Sequence, residues 1–599
     1  MFQAIKELFR LLTADQRKRF YRLQILVVLM AFLELVGIAS IGPFMALVAD
    51  LNLVETSAIY SKLYQLSGLT KPEDFLFFTG LAVLIMLTIA SVVSIITTWR
   101  LSMFAYVVGV EIADRLYRYY LRQNWLFHAS GSSAQLTKQI ATECQRVTRS
   151  IIRYLLRLNA RAVLALFIST AIFIYNPLVA CMGLVLFAGG YFIIFRVIRR
   201  RLNRYGRQIS ETNTQRFRLM NEGFGGIKDI LLLNRQKDFI DQFNRTGKIL
   251  ANAQGKTEAF SEAPRYFMEL LAFGAMITLV LFLLKMHQGV LSQVLPVLAV
   301  YALAGFKLLP ALQQMYNAIT NIRGNIASFE AIKPDLMASF QETNGKDTDL
   351  EQTKIELTGK IILKDVVFRY PGKEKPALKG LNLEIPINQT VGLVGASGSG
   401  KSTAIDLILA LIEPEQGQLI INQTAVNPAN KRQWQKHIGF VPQSIFLSEG
   451  TIAENIAFGL SQEQIEIDKV KKAATLAHLD ELIKSLPDGL NTKVGERGVQ
   501  LSGGQRQRVG IARALYNEAN VLVFDEATSA LDGITENAIM TAIHELSGKK
   551  TIIIIAHRLK TVEQCDMIYM IEAGRAVDKG TYEELLQKNT RFRRMAQHA

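Results

Sequence analysis

The run Gly395-Ala396-Ser397-Gly398-Ser399-Gly400-Lys401-Ser402-Thr403 has the residue types and spacing to hold phosphates. It fits G-x-x-x-x-G-K-[ST], follows an apolar run (VGLV) and precedes an apolar helical pattern (AIDLILALI). The glycines let backbone N–H groups wrap anionic oxygens, and a helix N-terminus adds a favourable dipole. Lys401 can reach the β- and γ-phosphates of a nucleotide, and Ser402 can ligate Mg2+. A second apolar run, Val521–Phe524, ends in Asp525-Glu526. Asp525 suits the Mg2+ shell, and Glu526 is placed to polarise an attacking water.

The elements around these residues read as a parallel sheet flanked by helices. Apolar strand-like runs (KIILKDVVFRY, QTVGLVG, ANVLVFDE, TIIIIAH) alternate with helical segments, as in α/β domains. A polar, acidic stretch precedes them. The expected boundaries are a membrane domain over 1–335, a linker over 336–355 and an α/β nucleotide-binding domain over 356–599.

The first half has another character. The chain is 599 residues long, 50% apolar and 20% charged, with mean hydropathy +0.19. A bilayer span needs about 20 mostly apolar residues. Six stretches qualify, near 23–49, 75–99, 153–175, 177–195, 265–284 and 287–312, with Asn176-Pro177 expected to form a tight hairpin. Pro296 and Pro310 are candidates to kink the sixth. Residues 1–350 carry 38 Lys+Arg and 23 Asp+Glu, residues 351–599 carry 30 and 29, so all but one of the +16 sits beside the apolar runs. That is how a membrane protein distributes charge, and it argues against nucleic acid as partner. Cations crowd the segments before the first span, between the second and third, and between the fourth and fifth. Both termini and these loops are therefore expected in the cytoplasm. The first apolar run is too long for a signal peptide. Three cysteines form no disulfide framework and no metal spacing.

The long loops, about 100–150 and 199–264, keep a helical mix of residues and are expected to continue the spans into the cytosol. Each has a glycine-bearing break, near Ser130-Gly131 and at Gly223-Phe224-Gly225-Gly226, with a short cross-helix expected after it. The outer segment 51–69 fits either a short surface helix or an ordered loop.

Beside these features stands Leu501-Ser502-Gly503-Gly504-Gln505, shortly before the Asp525 strand. With it the sequence resembles the ABC transporter family, whose signature this is. Other positions match in order: Tyr370 resembles the aromatic that stacks on adenine, Gln443 the Q-loop glutamine, Ser529-Ala530-Leu531-Asp532 the D-loop and His557 the switch histidine. Gly495-Glu496-Arg497-Gly498 resembles the exporter loop that contacts the membrane domain. The resemblance implies a six-helix membrane domain fused to a P-loop ATPase domain. It implies ATP and Mg2+ as ligands, with Glu526, His557 and Gln443 catalytic and Ser402, Gln443 and Asp525 around the metal. Tyr370, Gly395, Ser397, Gly398, Ser399, Gly400, Lys401, Ser402 and Thr403 would bind nucleotide. Ser502, Gly503, Gly504 and Gln505 would reach the nucleotide of a second copy, so a homodimer is the simplest completion, with a heterodimer open. The expected place is the inner cell membrane.

Charges inside spans are costly and ask for a role. Arg100, Arg265 and Lys307 are candidates to line a cationic cavity, with Glu34 and Glu269 opposite in sign. Internal ion pairs are the other reading. Short stretches such as Pro264-Arg265-Tyr266-Phe267-Met268-Glu269 and Phe306-Lys307-Leu308-Leu309-Pro310 resemble the exporters of lipid-linked oligosaccharides and other glycolipids. They imply an amphipathic anionic, lipid-linked substrate taken from the bilayer. The alternative is a multidrug or peptide exporter of the same architecture.

Overall fold

The computed structural model describes residues 2–175, 177–286, 291–344, 357–495, 498, 500–526, 540–541, 543–556 and 558–597. It divides into two units. One comprises residues 1–123 and 127–346, the other residues 124–126 and 347–599.

The first unit is helical throughout: α1 (Phe2–Arg10), α2 (Ala14–Ala49), α3 (Leu53–Thr56), α4 (Ala58–Ser67), α5 (Pro72–Arg122), α6 (Trp125–Ser130), α7 (Ser133–Lys138), α8 (Cys144–Val147), α9 (Arg153–Tyr175), α10 (Pro177–Gly225), α11 (Ile227–Leu232), α12 (Gln236–Glu262), α13 (Pro264–Met286) and α14 (Leu291–Asn344). The starts follow local chemistry. Thr13 caps α2, its hydroxyl accepting from Gln16 N at 3.2 Å while the Gln16 side chain accepts from Thr13 N at 2.8 Å, a capping box. Pro72 opens α5, with Glu73 and Asp74 in its first turn, where missing N–H groups and negative charge are both tolerated.

Among the described residues, Ala14–Val48, Pro72–Arg122 and Ser133–Ile174 are long and apolar enough to cross a membrane. The other three expected spans lie on α10, α13 and α14. The long loops continue the spans as helices, to Arg122 on α5 and to Gly225 on α10. Helices end at Tyr175 and resume at Pro177; Asn176 lies outside the described residues. The segment 51–69 is helical, as α3 and α4, closed by Gly68 at φ +67°.

Two expectations need correcting. The first short cross-helix, α6, precedes Gly131 instead of following it, because the chain already leaves α5 at Gln123, in extended backbone. The second, α11, does follow Gly226. And α14 runs to Asn344, through the boundary expected at 335. Buried Leu336 and Ser339 keep that last stretch packed.

The polar parts of α5 and α14 and the segment from α8 into α9 share a core. Ile112, Leu116, Val147, Ile151, Leu156, Ile322, Phe329 and Ile332 are all buried in it. Where α10 crosses α14, a Cβ on Gly206 would sit 2.2 Å from Gly324 O, so the two backbones touch and no side chain fits.

The second unit holds two sheets. The six-stranded one is ordered β10-β9-β3-β8-β7-β6, from β3 (Thr390–Val394), β6 (Ile438–Val441), β7 (Val521–Asp525), β8 (Thr551–Ile555), β9 (Met567–Glu572) and β10 (Arg575–Gly580). All its pairings are parallel except β9/β10. β3 and β8 are buried at every position, as strands covered on both faces must be. The antiparallel sheet runs β2-β1-β4-β5, with β1 (Lys360–Phe368), β2 (Leu378–Pro386), β4 (Gln416–Ile421) and β5 (Thr424–Ala425). Between the sheets' core residues sits Trp434, fully buried, its indole N–H donating to Ile408 O at 2.6 Å.

Gly206→Val should force α10 off α14. Overpacking of this kind costs about 1–3 kcal/mol, and a lowered unfolding temperature of the detergent-solubilised protein would register it.

Candidate nucleotide site

The site grows from the ends of two parallel strands. β3 ends at Val394 and the loop Gly395–Gly400 leads into α15 (Lys401–Ile408). The loop's path requires glycine at two places. Gly400 lies at φ +109°, and a Cβ on Gly395, at φ +150°, would stand 2.2 Å from Ile571 O. Gly400 is the N-cap of α15, so the free N–H groups of the first helical turn face the loop.

Lys401 is buried, and its ammonium donates to Gly395 O at 2.7 Å and Ala396 O at 3.0 Å. Both are neutral carbonyls. Burial pushes this ammonium below its ordinary range, while Glu526 and Asp525 draw it back. Ser399 Oγ is buried with no hydrogen-bond partner among the described residues. A buried cation, an orphaned hydroxyl and free N–H groups fit an anionic phosphate chain. Ser402 is exposed in the first turn of α15, and Thr403 Oγ1 lies 3.1 Å from the Tyr370 hydroxyl. That bond ties the expected adenine-side aromatic to the phosphate loop.

β7 delivers the acidic pair. Asp525 is its last residue, and Glu526 follows at φ +50°. A left-handed glutamate costs of order 1–3 kcal/mol and needs its surroundings to hold it. Here Glu526 N donates to Ile555 O at 3.2 Å, and the Gln443 amide donates to the Glu526 carboxylate. The structure thus joins Gln443 to Glu526.

Ser502 is the N-cap of the helix Gly503–Tyr516. Its hydroxyl accepts from Gln505 N at 3.2 Å, and the Gln505 side chain accepts from Ser502 N at 2.8 Å. Ser502 and Gly503 are exposed, so this signature presents a capped helix start to solvent. His557, Glu496, Arg497 and Ser529–Asp532 lie outside the described residues.

Sequence reasoning missed Asp406. It stands one turn into α15, where burial and the charge of Asp525 push its carboxyl up to about 6, against a bond from Trp125. Trp125 and Leu126 belong to this unit, and Leu126 packs on its core. A lone carboxylate inside AIDLILALI was the available signal.

The candidate cavity cations are already paired. Arg265 Nε lies 2.7 Å from Glu269 Oε1, and Lys307 Nζ lies 3.9 Å from Glu34 Oε2, which also accepts from Ser94 Oγ at 2.7 Å through its other oxygen. Arg100 lies 5.6 Å from the Trp99 ring centre. An open groove of about 500 Å3 is lined by Gln24, Ile25, Val28, Leu29, Phe32 and Phe167. None of the three cations lines it.

Residues 25–303 match a family described as ABC transporter transmembrane region, and residues 378–529 match ABC transporter. An ATP-dependent lipid A-core flippase of Cupriavidus pinatubonensis is 32% identical over 400 residues, 65% of this chain and 66% of that protein. The protein of that name from Salmonella typhimurium is 29% identical over 564 residues, 92% of this chain and 95% of that one. The one from Thiobacillus denitrificans is 27% identical over 552 residues, 89% and 91%. A solved structure of a bacterial Atm1-family ABC exporter with ATP bound has the same fold, with TM-score 0.77 and 21% identity, covering 98% of this chain and 99% of that one.

Asp406 gives a pH signature. Its raised carboxyl stabilises the fold fully below the ordinary value of about 3.9. That contribution is lost as pH rises through about 6. Asp406→Asn keeps a neutral side chain at every pH. In melts of the whole protein at pH 5 and pH 8, the variant should gain on the wild type at both, and more at pH 8, because the loss builds up from the unfolded value to about 6.

Proposed function

This chain belongs to the ABC transporter family, as a half-transporter with fused membrane and ATPase domains, and we propose that it flips an amphipathic anionic glycolipid across the inner cell membrane. ATP-driven export is the family's activity, and the architecture implies a dimer. The finer reading rests on one observation. A chain aligned over about nine-tenths of its length with proteins named lipid A-core flippases keeps three cations within or beside its spans, Arg100, Arg265 and Lys307.

The chemistry follows from the residues. Lys401 and the N–H groups after Gly400 bind the phosphates and hold their charge. Tyr370 offers its ring to the base. Ser402, Asp525 and Gln443 supply the oxygen donors that a hard Mg2+ ion prefers, and the ion would neutralise charge on the transferring phosphoryl group. Glu526 accepts a proton from the attacking water, oriented by the Gln443 amide, and His557 completes the catalytic set. A phosphate loop alone leaves one side of the nucleotide in water. Ser502, Gly503 and Gly504 of a second copy close that side, their helix N-terminus meeting the γ-phosphate. Two identical halves then enclose two ATP molecules head to tail.

For the cargo, Lys307 and Arg265 stay about half exposed despite their carboxylate partners. A diphosphate would take the place of those carboxylates as countercharge, Glu34 itself being only 9% exposed. The lipid tail meanwhile stays in hydrocarbon. The internal pairs Arg265–Glu269 and Lys307–Glu34 also favour a second reading, a multidrug or peptide exporter whose spans are neutral within.

Glu526→Gln should bind ATP and hydrolyse none, trapping the closed dimer; hydrolysis near the wild-type rate would remove Glu526 from the base role. Mixed dimers of Ser502→Arg and Lys401→Ala halves should regain activity through one rebuilt site. In proteoliposomes, the triple neutral variant of Arg100, Arg265 and Lys307 should stop flipping of a fluorescent lipid-linked oligosaccharide and keep basal ATPase. Undiminished flipping would move the second reading ahead.

A further inference from the structure

One helix of the first unit does not keep a single winding. Between Ser133 and Tyr175 it turns as a π-helix twice, over Gln139–Glu143 and Thr148–Ile152, with α8 between. Such turns are rare and cluster at functional sites. Here the sequence demands them. Lys138 and Gln139, Glu143 and Cys144, Val147 and Thr148, Ile151 and Ile152, then Leu156 are buried. That spacing of four to five residues drifts off the face of an α-helix, which repeats every 3.6.

The winding also makes an ion pair. In an α-helix, residues five apart point roughly 140° away from each other. The i→i+5 turn of a π-helix brings them to one side. Lys138 Nζ accordingly lies 2.9 Å from Glu143 Oε1, and Arg146 Nη1 lies 3.2 Å from Glu143 Oε2. The Glu143 side chain is 0% exposed and that of Lys138 8%.

The bonds to neighbouring helices are of another kind. Lys138 donates to Thr214 Oγ1 at 2.8 Å, Ser210 donates to Glu143 Oε1 at 3.1 Å, and Arg146 donates to Asn325 Oδ1 at 3.1 and 3.3 Å. These partners on α10 and α14 are neutral. The segment carries its own countercharge, so it can shift against both helices without parting buried ions, which would be costly. Its second π turn sits in a notch on α5, where a Cβ on Gly109 would come within 2.0 Å of Thr148 Oγ1. Its first is tied to Tyr120 near the end of α5. Gln139 Oε1 and Asp335 Oδ2 each lie 2.7 Å from the Tyr120 hydroxyl, and His128 Nε2 lies 2.9 Å from Tyr120 O.

We propose that residues 139–152 form a winding joint, one residue of slack in each of two turns, which pass between π and α as ATP binds and leaves. Glu143 is its positioning residue, favouring the π state through Lys138. The inference rests on the ATP-driven cycle and not on the cargo.

Hydrogen exchange tests it on the full-length Glu526→Gln protein, with and without Mg-ATP. Amides of 139–152 should exchange about tenfold differently between the two states, a local opening measured against fixed neighbours. Equal exchange overturns the joint. Deleting Ala141, which is exposed, turns Lys138 and Glu143 into i, i+4 partners, so an α-helix keeps their pair and the later register. This variant should bind ATP, keep basal hydrolysis and lose the exchange difference over its first turn, 139–143. Its flipping of the fluorescent lipid-linked oligosaccharide per ATP should fall about tenfold, an ordinary size for coupling between sites. Flipping per ATP at the wild-type ratio refutes the proposal and leaves the π turns a packing feature. If the deletion does not fold, or the wild type does not flip this lipid, the exchange comparison decides alone.

Discussion

Backbone amides in hydrocarbon have no water to turn to, so each must pair within its own segment. That constraint shapes the first unit. Helices meet it, and they can be long, because a helix leaving the bilayer can extend into water without a break. α5 runs for 51 residues and α14 for 54, carrying apolar spans and charged polar turns on one rod. The same rule explains where the chain departs from helix. Gln123, Gly131 and Gly226 interrupt it beyond the apolar windows, where freed carbonyls find solvent.

The second unit solves the opposite problem. Its central strands are smothered on both faces, and its chemistry stands where they end. β3 and β7 are both paired to β8, so the phosphate loop and the acidic pair emerge from the same edge of one rigid sheet. Precision comes from that shared base, and loop residues such as Glu526 are held in strained backbone by bonds to it.

Much of this was legible in the sequence, for definable reasons. Phosphate loops need glycine where no Cβ fits, and Gly395 and Gly400 announce it. Spans need unbroken apolar runs. Alternation of strand and helix patterns gave the parallel sheet. What could not be read depends on partners far apart in the chain. Arg265 and Lys307 could be read as cavity cations or as partners of Glu269 and Glu34, and the choice needed the structure, because only the first pair has helical spacing. Asp406 gained its meaning from Asp525 and Trp125, both distant in sequence. The π turns were hidden because a burial period between four and five looks like a ragged helix unless exposure is known residue by residue.

Buried Lys401 is held by carbonyl oxygens, half-buried Arg146 by a carboxylate on its own helix, and half-buried Arg513 by the carbonyls of Phe446 and Asn455. Only the first lies at a site built to receive a negative ligand. The cap at Ser502 leaves one donor over. Its hydroxyl oxygen accepts from Gln505 N, a contact of the kind that contributes about 1 kcal/mol to a helix, while the O–H keeps its proton to give. An acceptor arriving at this helix start can therefore be bound without uncapping the helix. Taking hold breaks nothing in the fold, and letting go leaves nothing to mend.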